Sequence, residues 1–243
     1  MYPLFVGAGM SLRVRERLGL ADVLTLLNAS LGVLAIVVAV TFGPSEAARL
    51  LLLAAVADGL DGIVARSRGG TQVGPYLDSM ADVVSFGAAP ALLLFAATFD
   101  RIARSIPTRL PDPGAVAVLV ASVVPAVVVV LSLVRTALYT VYVGEGQNRP
   151  GIQNTLAGSI LAAAYLAGVT SVPLLLAAGV VLSVLMVVPV PYPKLVARDA
   201  LVMGVVQAGA ILAPRVAGRA FPRVLLVAAL AYMLLAPWLY WGE

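Results

Sequence analysis

The chain has 243 residues, of which 61% are hydrophobic and only 12% are charged, with a formal net charge of +4. Soluble domains carry about 25% charged residues, so this composition and a mean hydropathy of +1.02 exclude an ordinary soluble protein. Cysteine and histidine are absent, which excludes disulfides, thiolate zinc sites and histidine bases. Any chemistry must use carboxylates, hydroxyls, amides, arginines or the single Lys194.

Apolar runs of about 18 or more residues are typical of membrane-spanning helices. The sequence therefore predicts an all-α integral membrane protein, a bundle of about eight transmembrane helices at 21–43, 47–67, 74–99, 114–142, 155–170, 172–190, 200–214 and 222–241. The fifth and sixth segments meet closely around Gly168 and Pro173, so seven helices is the alternative. No polar loop is long enough to form a soluble domain, and we expect one membrane-embedded domain over residues 1–243.

The orientation follows from the basic residues, which favour the cytoplasmic side of membrane proteins. Arg13, Arg15 and Arg17 precede the first predicted helix. We therefore expect a protein of the cell membrane whose N-terminus and active site face the cytoplasm. The basic residues lie near predicted helix ends, where they favour lipid headgroups as partners, and we expect no nucleic acid.

Four carboxylates interrupt the apolar pattern in DGLDGIVARSRGGTQVGPYLDSMAD, residues 58–82. Asp58 and Asp61 are three residues apart, and Asp78 and Asp82 are four apart, so each pair shares one face of a helix. The short connection containing Gly69 and Gly70 makes the two helices antiparallel neighbours. All four carboxylates are therefore predicted to converge at one end of the bundle.

Converging carboxylates repel one another in a low-dielectric environment and either take up protons or bind cations. Oxygen ligands suit Mg²⁺, Mn²⁺ or Ca²⁺, and two such ions about 3.5–4 Å apart promote phosphoryl transfer. One alternative is a structural set of buried ion pairs with Arg66 and Arg68. Another is a cation transporter, although transporters usually place their acids on broken helices near the membrane midplane.

The pattern D-x2-D-G-x2-A-R … G-x3-D-x3-D resembles the motif of the CDP-alcohol phosphotransferase family of membrane enzymes. It is formed here by Asp58, Asp61, Gly62, Ala65, Arg66, Gly74, Asp78 and Asp82. Seven residues separate Arg66 from Gly74, one fewer than we expect in the family. The segments ADVLTLLNASLG (21–32), DSMADVVSFGAAPA (78–91) and MVVPVPYPKL (186–195) look like the phosphatidylserine synthase branch.

The resemblance implies two divalent cations, Mg²⁺ or Mn²⁺, held by Asp58, Asp61, Asp78 and Asp82. It also implies that Asp82 is the catalytic base. The cytidine and diphosphate would lie against Gly62, Ala65, Arg66 and Gly74. The implied reaction transfers the phosphatidyl-type group of CDP-diacylglycerol or CDP-archaeol to the hydroxyl of L-serine and releases CMP, with glycerol 3-phosphate or inositol phosphate as alternative acceptors.

The serine carboxylate needs a cationic partner, and Arg135 is the first candidate. It lies near the end of the fourth predicted helix, where a lone arginine is costly unless it is paired; a snorkelling or acid-paired arginine is the alternative. Lys194 is the second candidate, and a cytoplasmic anchor is its alternative. Gln153 and Asn154 begin the next helix, where they could bind polar groups of serine or cap the helix, and we expect the cap.

The expected partners are the CDP-linked lipid, L-serine and the surrounding membrane lipids. A second copy of the chain is also expected, because small residues allow close packing of membrane helices. The small-residue face that favours a homodimer contains Ala157, Ser159 and Gly168.

Overall fold

The computed structural model describes residues 17–142, 149–192 and 197–239. Lys194 lies outside the described residues. The helices are α1 Leu20–Thr41, α2 Pro44–Arg68, α3 Gly74–Asp82, α4 Ala89–Ser105, α5 Pro113–Tyr142, α6 Asn154–Ala167, α7 Val172–Val187, α8 Ala197–Leu212 and α9 Ala220–Leu239. A π-helical turn, Val83–Ala88, joins α3 to α4, and a 3₁₀ turn, Val216–Gly218, precedes α9. The described residues thus form eight helical rods, which confirms the all-α prediction.

Four of these rods are long and apolar enough to cross a membrane: Leu20–Thr41, Gly74–Ser105, Pro113–Tyr142 and Val216–Leu235. Three further apolar helices are shorter: Asn154–Ala167, Val172–Val187 and Val202–Leu212. On α1, the side chains of Val33, Leu34 and Val37 are about half exposed. An apolar surface of this extent is typical of contact with lipid or with another protein.

The helices α6 and α7 are separate, so the seven-helix alternative is wrong. Gly168 ends α6 with a φ of 103°, a left-handed conformation that glycine adopts without steric cost. Its N–H bonds to the carbonyls of Ala164 and Tyr165. Ser171 then precedes α7, which carries Pro173 in its first turn, a position where proline is favoured.

One residue of the predicted small-residue dimer face is covered within its own chain. Ala157 is 0% exposed and packs in a core cluster with Leu161 and Met186. Because Ala157 is covered within its own chain, it is not available to a second copy. Ser159 and Gly168 are partly exposed, and the homodimer stays a prediction.

Small residues let α1 approach the π-helical turn backbone to backbone. A Cβ on Gly32 would lie 2.7 Å from the Cα of Ser85, which is closer than real side chains come. The Ser85 hydroxyl donates a hydrogen bond of 2.9 Å to the carbonyl of Asn28 on α1. This contact fixes the rod that carries Asp78 and Asp82 against α1.

A two-residue ribbon orients the start of α6. Strands β1, Arg149–Pro150, and β2, Pro191–Tyr192, pair antiparallel. Gly151 follows with a φ of +75°, and a Cβ there would overlap the carbonyl oxygen of Met186. The Gly151 N–H donates to the Val190 carbonyl at 2.8 Å. The beginning of α6 is thereby held against the end of α7.

Candidate functional site

Three of the four motif aspartates converge as the spacing predicted. Asp58 and Asp61 from α2 and Asp78 from α3 each offer one carboxylate oxygen, and these oxygens lie within 4.8 Å of one another. The turn between the helices passes through Gly69 at a φ of 87°, which favours glycine. Asp61 is 7% exposed whereas Asp78 is exposed. The cluster therefore extends from the bundle interior to its surface.

Hydroxyl and amide donors from other helices hold two of these carboxylates. The Thr25 hydroxyl on α1 donates to Asp61 Oδ2 at 2.6 Å. The Thr155 hydroxyl on α6 donates to Asp58 Oδ2 at 3.0 Å, and Asn28 Nδ2 donates to Asp58 Oδ1 at 3.4 Å. Such outer-shell bonds orient metal ligands. No role was predicted for these donors, although Thr25 and Asn28 share one face of a mostly apolar helix.

Gly74 has a packing role at the start of α3. Asp22 is 2% exposed, and its Oδ2 accepts hydrogen bonds from Gly19 N at 2.7 Å and the Thr71 hydroxyl at 2.8 Å. The Gly74 N–H in turn donates to that hydroxyl at 3.0 Å. A Cβ on Gly74 would lie 3.1 Å from Asp22 Oδ1, so a larger residue would disturb this junction.

The fourth carboxylate, Asp82, is half-buried at the end of α3. It lies close enough to Asp58 to interact with it, and its Oδ1 is buried without a hydrogen-bond partner among the described residues. Arg135 on α5 is 8% exposed, interacts electrostatically with Asp82 and lies 5.3 Å from the centre of the Tyr139 ring. Asp82 thus combines a free proton-accepting oxygen with a nearby cation.

The two arginines at the end of α2 lie on the outside. Arg66 and Arg68 are both exposed, so buried ion pairs with these arginines do not describe the site. The Arg66 guanidinium folds back over Gly62, where a Cβ would lie 3.3 Å from Nη1. Ala65, which lies between Gly62 and Arg66 in the sequence, is half-buried. The positively charged Arg66 side chain therefore lies beside small residues at the surface end of the acidic cluster.

The capping prediction for Gln153 and Asn154 is wrong. Gln153 occupies the N-cap position of α6 but makes no side-chain capping hydrogen bond. Asn154 is 0% exposed, and its Nδ2 donates to the Thr136 hydroxyl of α5 at 2.8 Å. Asn154, the first residue of α6, points into the bundle because its side chain hydrogen-bonds to the Thr136 hydroxyl of α5 and not to the backbone of its own helix.

The donor set fits hard divalent cations. Three carboxylate oxygens this close repel one another unless a cation or a proton lies between them. Oxygen-only ligation is the preference of Mg²⁺, Mn²⁺ and Ca²⁺, and the chain contains no cysteine or histidine that would favour zinc. The arrangement can hold a divalent cation and present it to an anionic group arriving from the surface side.

A separate cleft of about 750 Å³ lies at the other ends of α4 and α5. Its lining includes Arg101, Ser105 and Thr170 but no carboxylate. Because it lacks anionic ligands for a cation and lies away from Asp58, it is not part of the candidate site.

The fold and site define a membrane-embedded protein with a carboxylate centre suited to divalent cations. The family model described as CDP-alcohol phosphatidyltransferase matches residues 18–191, and the chain belongs to this family. This confirms the family expected from the aspartate motif and decides against the cation transporter.

Three named relatives show which members of the family the chain is similar to. It is 31% identical over 185 residues to the archaetidylserine synthase of Methanothermobacter thermautotrophicus, covering 75% of this chain and 72% of that protein. It is 41% identical over 83 residues to the CDP-diacylglycerol–serine O-phosphatidyltransferase of Methanocaldococcus jannaschii, covering 34% and 38%. The enzyme of that name from Mycobacterium leprae is 43% identical over 74 residues, covering 30% and 25%.

Proposed function

We propose that this protein transfers the phosphatidyl-type group of a CDP-linked lipid to the hydroxyl of L-serine and releases CMP. The observation that carries the proposal is the cluster of Asp58, Asp61 and Asp78 at one end of a membrane bundle of this family. The choice of serine is supported by the names of the relatives. The lipid is CDP-diacylglycerol or CDP-archaeol, since both carry the same nucleotide and an apolar helix surface accepts either tail.

The proposed cofactors are two divalent cations, Mg²⁺ or Mn²⁺, held by Asp58, Asp61 and Asp78, with Asp82 as a further ligand. When bound, such ions neutralise charge that develops on the phosphoryl oxygens and stabilise the departing phosphate. Thr25 keeps the Asp61 carboxylate turned toward the cluster through its 2.6 Å hydrogen bond. The protein's own contribution is thus to pre-orient charged oxygens before substrate arrives.

Asp82 is the proposed general base. Its buried Oδ1 has no hydrogen-bond partner among the residues described, and it can take the proton of the serine hydroxyl as the new oxygen–phosphorus bond forms. The bond from that phosphorus to the oxygen of CMP then breaks, and CMP leaves. A positioned base matters because a neutral hydroxyl is a weak nucleophile.

Arg135 is the proposed partner of the serine carboxylate, because it is a largely buried cation close to Asp82. Lys194 stays the second candidate. At the surface end of the cluster, the diphosphate of the lipid nucleotide is proposed to lie near Arg66 and the small residues Gly62, Ala65 and Gly74. A guanidinium binds phosphate oxygens well through its fork of N–H donors.

We place the site on the cytoplasmic side of the cell membrane. Arg17, Arg66 and Arg68 lie at the same helix ends as the acidic cluster, and positive residues favour the cytoplasmic side. Labelling of single cysteines introduced at Ser67 and at Ser105, using a reagent that does not cross membranes, would test this orientation in intact cells. Labelling of the Ser67 position from outside the cell would contradict it.

The test of function measures CMP release by purified protein in lipid vesicles. We expect release to require a CDP-lipid, L-serine and Mg²⁺ or Mn²⁺. Asp58→Asn and Asp78→Asn should abolish turnover, because each removes a charged oxygen from a shared site, while leaving the protein folded. Asp100→Asn is the control, since Asp100 is exposed at the far end of α4. Near-normal activity of Asp58→Asn at saturating metal would contradict the proposed metal site.

A further inference from the structure

Several buried polar atoms near the acidic cluster have no hydrogen-bond partner among the described residues, and Asn154 Oδ1 and Ser132 Oγ are two of them. Asn154 and Ser132 are each 0% exposed. The Asn154 amide nitrogen donates to Thr136, but its Oδ1 accepts no hydrogen bond, and the Ser132 hydroxyl makes none. Leaving such groups unpaired in an apolar interior costs free energy. Exceptions of this kind call for an explanation, and a bound ligand is one.

The Ser132 hydroxyl faces the turn that follows Asp82. Ser132 lies on α5 one helical turn before Thr136 and three residues before Arg135, so these side chains share a face. A Cβ on Gly87 would lie 2.8 Å from Ser132 Oγ, which places that oxygen directly against the π-helical turn. Glycine is needed at position 87 because any side chain there would clash with Ser132.

Asn154 lies at the start of α6, next in sequence to a residue that contacts the cluster. The next residue, Thr155, donates a hydrogen bond to Asp58, while Asn154 itself donates to Thr136. The start of α6 therefore lies between the metal-binding face of α2 and the Arg135 region of α5. Ser132 and Asn154 are thus both tied to the segment of α5 that carries Arg135, the cation that interacts with Asp82.

We propose that Ser132 and Asn154 bind the ammonium group of the acceptor alcohol. An ammonium offers three N–H donors and no acceptor, so it matches unpaired oxygens beside a carboxylate cluster. Arg135 supplies the opposite charge for a carboxylate. An alcohol that carries a phosphate would instead bring phosphate oxygens, which accept hydrogen bonds, against these two oxygens. The inference rests on the proposed function and explains why the site selects an amino alcohol with a carboxylate, such as serine.

The first test compares L-serine with 3-hydroxypropionate, which lacks the ammonium group. Ser132→Ala should raise the KM for L-serine roughly ten- to hundredfold, the range expected for a lost hydrogen bond to a charged group. The inhibition constant of 3-hydroxypropionate against serine should stay unchanged. The melting temperature should not fall, because the hydroxyl makes no hydrogen bond in the protein alone.

Ser183→Ala is the matched control. Ser183 is also 0% exposed, but its hydroxyl donates to the Gly179 carbonyl of its own helix at 2.7 Å. This variant should leave both constants unchanged. Asn154→Leu should repeat the pattern of Ser132→Ala for serine. An unchanged KM for serine in Ser132→Ala would overturn the ammonium site. An equal rise of the serine KM and of the 3-hydroxypropionate inhibition constant would overturn it as well.

An acceptor panel with the wild-type protein separates this inference from the proposed function. Use of L-serine supports both. Use of 2-aminoethanol in place of serine would contradict the serine proposal and support the ammonium site. Use of glycerol 3-phosphate or inositol phosphate instead would contradict both. Serine turnover with no effect of the Ser132 and Asn154 substitutions would remove the ammonium site alone.

Discussion

Replacing Thr25 with valine removes one hydrogen bond from a metal ligand while keeping the shape of the side chain. Thr25 is 4% exposed, and its hydroxyl lies 2.6 Å from Asp61 Oδ2. Valine substitutes a methyl group for that hydroxyl, so packing is nearly unchanged but the carboxylate loses a donor that orients it. Asp61 itself remains available as a ligand.

The expected loss follows from the energy of that bond. A hydrogen bond to a charged group contributes about 1.5–3 kcal/mol, which corresponds to roughly ten- to hundredfold in an equilibrium constant. Loss of an outer-shell partner typically weakens metal binding by a similar factor. We therefore expect the Mg²⁺ or Mn²⁺ concentration for half-maximal activity to rise about ten- to hundredfold in Thr25→Val. The kcat at saturating metal should change little.

The assay is CMP release titrated with each metal, at fixed CDP-lipid and serine. Thr41→Val is the matched control, since Thr41 is exposed on the same helix and donates at 2.8 Å to the Val37 carbonyl of that helix. It should titrate like the wild type. An unchanged metal requirement in Thr25→Val would refute the role given to Thr25, and so would an activity loss that saturating metal does not restore.

Three further substitutions probe the base, the packing and the acceptor site. Asp82→Asn should lower kcat about 10²–10⁴-fold with less effect on CDP-lipid affinity; complete loss of nucleotide binding would make Asp82 a ligand only. Gly32→Ala should lower the melting temperature, because its Cβ would lie 2.7 Å from the Cα of Ser85, whereas Gly59→Ala meets nothing within 4 Å and should not. Equal stability of the two variants would contradict the close contact. Arg135→Gln should raise the KM for serine roughly ten- to hundredfold but not that for CDP-lipid, and a parallel rise would assign Arg135 a structural role.

The amino-acid sequence alone determined the membrane class, the helical rods and the family. These follow from local properties: the length of apolar runs, the scarcity of charge and a motif whose eight positions lie within 25 consecutive residues. The convergence of Asp58, Asp61 and Asp78 was also predictable, because helical periodicity and a short turn leave those carboxylates few other arrangements.

The tertiary structure alone decided which polar groups meet the carboxylates. Thr25 contacts Asp61 across 36 residues, and Thr155 contacts Asp58 across 97. No periodicity links such positions, since the contacts depend on how the faces of separate helices pack. The same packing turned Asn154 inward to Thr136 when the sequence favoured a helix cap. A polar side chain at a helix end can hydrogen-bond to its own backbone or to a neighbouring helix. Only the three-dimensional arrangement shows which partner is within reach.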